Sequence, residues 1–295
     1  MIKTLTRISK WFKRETIVET HSSSRQFYVV GYPKCGTTWL RVMLGKYVQL
    51  LTGRDEKLPL PLFDRFEDFD MRVPLIQFTH GNLDWTHQTA ADLTLENTVL
   101  CWRHTRIVLL VRNIPDVVVS LFWQAKTQSN PPYMGNISEF IRDPVQGVEK
   151  AVRFLQLWDL GRSSIHQLLL MRYEDLRFNP NAEFRRLLDF FQMPINEDYL
   201  GQAIAFSDFN NMRKLEVDNR RTRALVYSSS GLPIFATGDT TSTPEAFHVR
   251  KGRVGGYRDY LSDGDIQFLR DAMWGKIPEW YKYPDGFWSN DVNPA

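Results

Sequence analysis

The stretch VVGYPKCGTTWLRVML, residues 29–44, decides how the rest of the chain is read. An apolar run, QFYVVG at 26–31, leads into a loop held by Gly31 and Gly36, and TTWLRVML follows with apolar residues at helical spacing. Strand, glycine loop and helix in that order suit phosphate, because loop N–H groups and the positive end of the helix dipole point at one anion. The glycine spacing is that of a Walker A loop, G-x-x-x-x-G-K-[ST]. Thr37, however, stands where the lysine that reaches the β and γ phosphates belongs, and Lys34 sits inside the loop instead. A triphosphate would be poorly neutralised there, and no acid stands out as a Walker B residue to help hold Mg²⁺. The pattern predicts a shorter anion handled without metal.

Working outward, further short apolar runs read as buried strands: VPLIQF at 73–78, RIVLLV at 106–111 and HQLLLMR at 166–172. Helical spacing covers 38–51, 115–126, 145–160, 181–191 and 262–273. Strands alternating with helices predict an α/β fold: a single P-loop-like domain whose central parallel sheet carries helices on both faces. The domain is expected over 25–295, with 1–24 a basic amphipathic appendage. Residues 214–248 lack sustained periodicity and are rich in Gly, Ser, Thr and charge, which reads as a long loop and, so close to the basic glycine run RKGRVGGY, as a lid.

The 295 residues are 43% hydrophobic and 13% aromatic, enough for a substantial core. With 37 basic against 34 acidic residues, a net charge of +3 does not suggest nucleic-acid binding. The two cysteines, Cys35 and Cys101, lie in unlike contexts, so a reducing, cytoplasmic setting without a disulfide framework is expected. Cys35 is read as a small loop residue, with a thiol activated by the helix N-terminus as the alternative. No apolar run approaches the ~20 residues of a transmembrane helix. MIKTLTRISKWFKR at the N-terminus alternates apolar and basic residues, so weak contact with an anionic membrane is weighed against a docked or frayed terminal helix, the reading favoured here.

YPKCGTTWL resembles the 5′-phosphosulfate-binding loop of sulfotransferases that use 3′-phosphoadenosine 5′-phosphosulfate (PAPS), where PKSGTTW is the usual form and Cys35 takes the serine's place. Three further groups are similar to the family's pattern, in the same order, as far as Tyr257. RNIPDVVVSLFWQ matches its 3′-phosphate motif, Arg112 and Asn113 with Ser120 eight residues after the arginine. On its residues alone, Arg112 equally suits a strand end paired with Asp116. MRYEDL and FSDFNNMRKLE match its adenine site through Tyr173 and Phe209, with Trp39 of the loop as another ring and Ser207 of the second run also assigned to the cofactor, although core packing rivals each aromatic. RKGRVGGY matches its C-terminal RKG-x-x-G-x-W motif through Arg250, Lys251 and Gly252, with Tyr257 for the tryptophan. The resemblance implies that Lys34, Cys35, Gly36, Thr37, Thr38 and Trp39 hold the 5′ end. It also implies that Arg112, Ser120, Arg250, Lys251 and Gly252 hold the 3′-phosphate of PAPS or of its product 3′-phosphoadenosine 5′-phosphate (PAP), and that Ser120 restrains Lys34 until the acceptor arrives.

Transfer to an alcohol needs a base for the hydroxyl proton, positive charge at the bridging oxygen and in-line positioning. His80 follows the run at 73–78, at the end of the sheet where open α/β folds bind ligands, and it corresponds to the catalytic histidine of the family's K-T-H run. Here the run is FTH, so Phe78 stands in the lysine's place and one charge is absent. His87 is the second candidate base. A metal site at His80, Asp84 and His87 is disfavoured for want of a recognised ligand motif. The aromatic segments PLFDRFEDFD, SLFWQ and PPYMGN suit a small acceptor such as a phenol, an alcohol, a lipid or a sugar. A nucleoside or nucleotide kinase, and a catalytically silent anion- or membrane-binding module on the same fold, are the rival readings.

Overall fold

The structure, a computed structural model, describes residues 25–55, 70–81, 83–129, 131–222, 245, 247 and 249–283. Four parallel strands, β1 (Gln26–Gly31), β2 (Leu75–Thr79), β3 (Arg106–Val111) and β4 (Gln167–Arg172), form one sheet in the order β2-β1-β3-β4. Each agrees with its predicted run to within two residues. The helices are α1 (Thr37–Thr52), α2 (Leu95–Thr98), α3 (Ile114–Gln128), α4 (Ile137–Phe140), α5 (Val148–Gly161), α6 (Tyr173–Phe178), α7 (Pro180–Phe190), α8 (Glu197–Phe206), α9 (Phe209–Thr222) and α10 (Asp263–Met273).

The chain leaves β1 for one neighbour, β2, and later adds β3 on the other side of β1. Right-handed crossovers running in opposite directions along a sheet must lie on opposite faces. That explains the two packed groups: α1 with α8 and α7, and α5 with α2, α3 and α10. Covered on both faces, the central strands are nearly continuous apolar runs, and Val29, Val30, Ile107, Val108 and Leu109 are fully buried. The reversal between β1 and β3 leaves a crevice at their carboxyl ends, the usual ligand position in such sheets.

Part of the expected loop at 214–248 is helical instead: α9 runs through Lys214 as far as Thr222. Its apolar face is narrow, Met212 and Leu215 packing with Trp39 and Val42 of α1, and tertiary contact rather than a strong period fixes it. Residues 223–244, and with them most of the expected lid, lie outside the described residues, as do the appendage at 1–24 and the PLFDRFEDFD segment. Among the described residues no helix is long and apolar enough to cross a membrane.

Candidate active site

The loop between β1 and α1 lies at the crevice. Lys34 has φ 71 and Gly36 φ 99, both left-handed, a conformation that costs a lysine something and glycine almost nothing. Gly36 caps α1 without a side-chain hydrogen bond, and the positive end of that helix opens at the crevice. A Cβ on Gly36 would come within 2.7 Å of Cδ2 of Tyr173, so the loop rests flat on that ring. Cys35 is buried, and burial pushes its thiol far above the usual range, which removes the activated-thiol alternative.

Arg112 follows β3 and faces this loop. Its Nη1 donates to the carbonyl oxygen of Lys34 at 3.3 Å, its guanidinium carbon lies 4.3 Å over the Tyr173 ring, and its Nε is buried without a partner. The pairing with Asp116 exists, at 3.6 Å, but does not occupy the whole fork. Asp116 serves mainly as a clamp: its carboxylate accepts from the backbone N–H of Gly255 at 2.8 Å and of Tyr257 at 2.9 Å, and from Asn113 Nδ2 at 3.0 Å. Asn113 donates both its backbone N–H and its Nδ2 to Glu174 at 2.8 Å, and Tyr283 Oη donates to the same carboxylate. Burial pushes the Glu174 carboxyl up, against the hydrogen bonds it accepts.

The C-terminal glycine run is fixed from α9. Val249 donates its N–H to Glu216 at 2.8 Å and accepts from Arg213 Nη1 at 2.6 Å. Next to it, Arg250 stacks 4.7 Å over Tyr260 and holds Nη1 buried without a hydrogen-bond partner. Gly252 is left-handed at φ 58. Lys251 is engaged elsewhere, its Nζ 2.6 Å from Asp259. Lys34 feels this surrounding: burial, then the charges of Arg112 and Arg250, lower its pKa to about 8 against the pull of Glu216.

Trp39 donates its indole N–H to the carbonyl oxygen of Ser207 at 2.8 Å and meets Tyr173 edge-on at 5.6 Å between centroids. Ser207 is buried, and Phe209 opens α9. Thr37 and Thr38 form the start of α1, and Ser120 lies half-buried in the middle of α3.

His80 leaves β2 beside the loop, and its Nδ1 is 2.8 Å from the carbonyl oxygen of Gly31. A carbonyl only accepts, so Nδ1 carries the proton and Nε2 presents a lone pair. Burial lowers the imidazole pKa to about 4, with Arg41 and Lys34 adding to the shift and the Gly31 bond opposing it. Trp85 lies edge-on to His80 at 6.5 Å and packs with Tyr32 and Phe154. His87 is instead exposed, tied to Asp84 at 2.9 Å. Among the described residues no group of His, Cys, Asp and Glu is arranged to hold a metal ion.

Sequence reading did not assign roles to Glu174 and Glu216, and it saw Asp116 only as a partner for Arg112. The available signal was an acid within the apolar run IPDVVVSLF, four residues after Arg112.

Comparison with known proteins gives the same order of elements a family. Rat sulfotransferase 1A1 (Rattus norvegicus) is 24% identical over 250 residues, covering 80% of this chain and 84% of its own. Zebrafish sulfotransferase 6B1 (Danio rerio) is 23% identical over 260 residues, 84% of this chain and 77% of its own. Among solved structures, a mouse sulfotransferase complexed with PAP superposes with a TM-score of 0.56 at 17% identity, over 87% of this chain and 85% of that one. A retinol dehydratase in complex with androsterone and inactive cofactor PAP gives 0.57 at 15% identity, over 84% and 79%. At such identities the structural likeness speaks for the fold. The sequence model of the sulfotransferase domain matches residues 24–280, and the chain belongs to the sulfotransferase family.

Proposed function

We propose that the chain moves a sulfuryl group from PAPS to the hydroxyl of a small, largely apolar acceptor, with His80 as the base. The observation that carries this is the convergence of three cations from three parts of the chain. Arg112 after β3 and Arg250 of the glycine run both bear on the charge of Lys34 in the loop, and Arg112 Nε and Arg250 Nη1 are buried donors with no partner. Gathering like charges with unsatisfied N–H groups is unfavourable unless an anion completes them. Two such centres, one at the start of α1 and one between Arg112 and Arg250, suit a ligand with phosphate at both 5′ and 3′ positions. PAP in structures of similar fold supports that ligand.

In the reaction the acceptor oxygen forms a bond to sulfur as the bond from sulfur to the phosphate oxygen breaks. His80 Nε2 takes the hydroxyl proton, and PAP leaves with the electron pair. Lys34 meets the charge arriving on the departing phosphate. Ser120, Thr37, Thr38 and Gly252 serve the nucleotide, and Trp39, Tyr173 and Phe209 its base. Lys251, paired with Asp259, has to change partner to reach the 3′-phosphate. The aromatic wall of Trp85, Tyr32 and Phe154 beside His80 supports an apolar acceptor, in line with the androsterone bound to the retinol dehydratase. The reading carries no need for metal.

Calorimetric titration tests it with PAP, with 5′-AMP, which lacks only the 3′-phosphate, and with ATP and Mg²⁺. Binding of PAP well above the other two is expected. Preference for ATP and Mg²⁺ would transfer the assignment to a kinase.

A further inference from the structure

We infer that Arg41 supplies the second positive charge at the sulfuryl-transfer centre, taking over from the position that Phe78 occupies. This rests on the reading of the chain as a PAPS enzyme and adds a residue to it. Phe78 belongs to β2 and His80 follows two residues later, one past the strand's last residue, Thr79. Phe78 lies opposite Val29 in the β1–β2 register, which sets His80 level with Gly31, the residue whose carbonyl it touches. Helix α1 brings Arg41 to this place: its guanidinium carbon stands 4.7 Å over the centre of the Phe78 ring.

The ring thus works as a platform. A lysine at position 78 would carry an ammonium from β2; phenylalanine gives that up and holds a guanidinium delivered from α1. Arg41 and Lys34 both bear on the His80 imidazole, and both belong to the same loop-and-helix unit. Their tasks separate by position. Lys34, in the loop itself, faces the phosphate that departs. Arg41, one helical turn into α1 and close to the base, faces the three sulfuryl oxygens as sulfur passes from one oxygen to the other, and a planar fork of donors suits that group.

The difference between PAPS and PAP isolates this contact, because only PAPS carries the sulfuryl group. Calorimetry with each ligand is done on the unaltered protein, on Arg41→Gln, on Arg41→Lys and on the pair Arg41→Gln with Phe78→Lys. Arg41→Gln is expected to bind PAP as before and PAPS about tenfold more weakly or worse, the scale of a lost charged hydrogen bond. Arg41→Lys should lose less, and Phe78→Lys should restore PAPS binding in the Arg41→Gln background. Equal loss for both ligands, or no loss for either, overturns the inference. An unaltered protein that binds neither ligand overturns the PAPS reading beneath it, a result that no behaviour of the variants can imitate. Should Arg41→Gln fail to fold, Arg41→Met, which keeps the aliphatic contact with the ring, carries the same comparison.

Discussion

Gly252 lies against the ring of Phe209 so closely that a Cβ on the glycine would come within 2.5 Å of Cδ2. The backbone of the glycine run therefore packs directly on an aromatic proposed to face the adenine. Gly252→Ala meets both this clash and the left-handed φ of 58, where alanine is strained by about 1 kcal/mol or more. Calorimetry should find PAP binding weakened at least about fivefold, while thermal unfolding shifts by only a few degrees. Unchanged affinity would detach this loop from the nucleotide.

His80 offers two separable expectations. His80→Ala should reduce turnover on a phenol or steroid alcohol by about 100- to 10,000-fold and leave PAP affinity nearly unchanged. With a folded pKa of about 4 against an ordinary 6.5, the ring remains a neutral acceptor through mildly acid solution. The rate profile should accordingly show no acid limb centred near pH 6.5.

The same lowered value has a sign for stability. The unfolded chain takes up the proton first, so stability is complete above pH 6.5 and falls as pH drops towards 4. The His80 contribution to that slope is at most about 1.4 kcal/mol per pH unit, and His80→Gln should flatten it in denaturant titrations from pH 7 to 5.

Lys34 titrates near physiological pH in the empty protein, at about 8. An anion at the loop favours the charged form, so binding takes up a proton as pH rises through that value, and affinity falls. Calorimetry in buffers of different ionisation heat should show proton uptake near pH 8.5 that Lys34→Met abolishes. A pH-independent affinity in the unaltered protein would remove Lys34 from the phosphate.

For Arg112→Ala, a loss of a few kcal/mol in PAP affinity is expected, the cost of a charged hydrogen-bonded pair. Asp116→Asn tests the clamp: the carboxylate that Gly255, Tyr257 and Arg112 share becomes a neutral amide with one acceptor oxygen. Both unfolding temperature and PAP affinity should fall, whereas a change of stability alone would make Asp116 a core residue only.

The strands were the most legible part of the chain. RIVLLV and QFYVVG are buried on both faces, and such runs announce themselves without reference to anything distant. Helix α9 was not legible, because its stretch is strongly polar and depends on a few contacts with α1 supplied from far along the chain. Within the site, residues beside glycines could be placed by the turn chemistry that glycine signals. Partnerships across the fold could not: nothing near Phe78 says that an arginine from α1 covers its ring. Asp116 shows the same limit, since its partners at Gly255 and Tyr257 lie 139 and 141 residues away.

That last span bears on how the protein matures. During synthesis the sheet and α3 emerge long before the glycine run that Asp116 will hold, and closing so long a loop comes late for entropic reasons. On the proposed role of the glycine run, a nascent chain with its sheet, phosphate loop and Arg112 in place still lacks part of its nucleotide site. PAP added to a refolding mixture is then expected to speed the docking of Gly255 and Tyr257 onto Asp116.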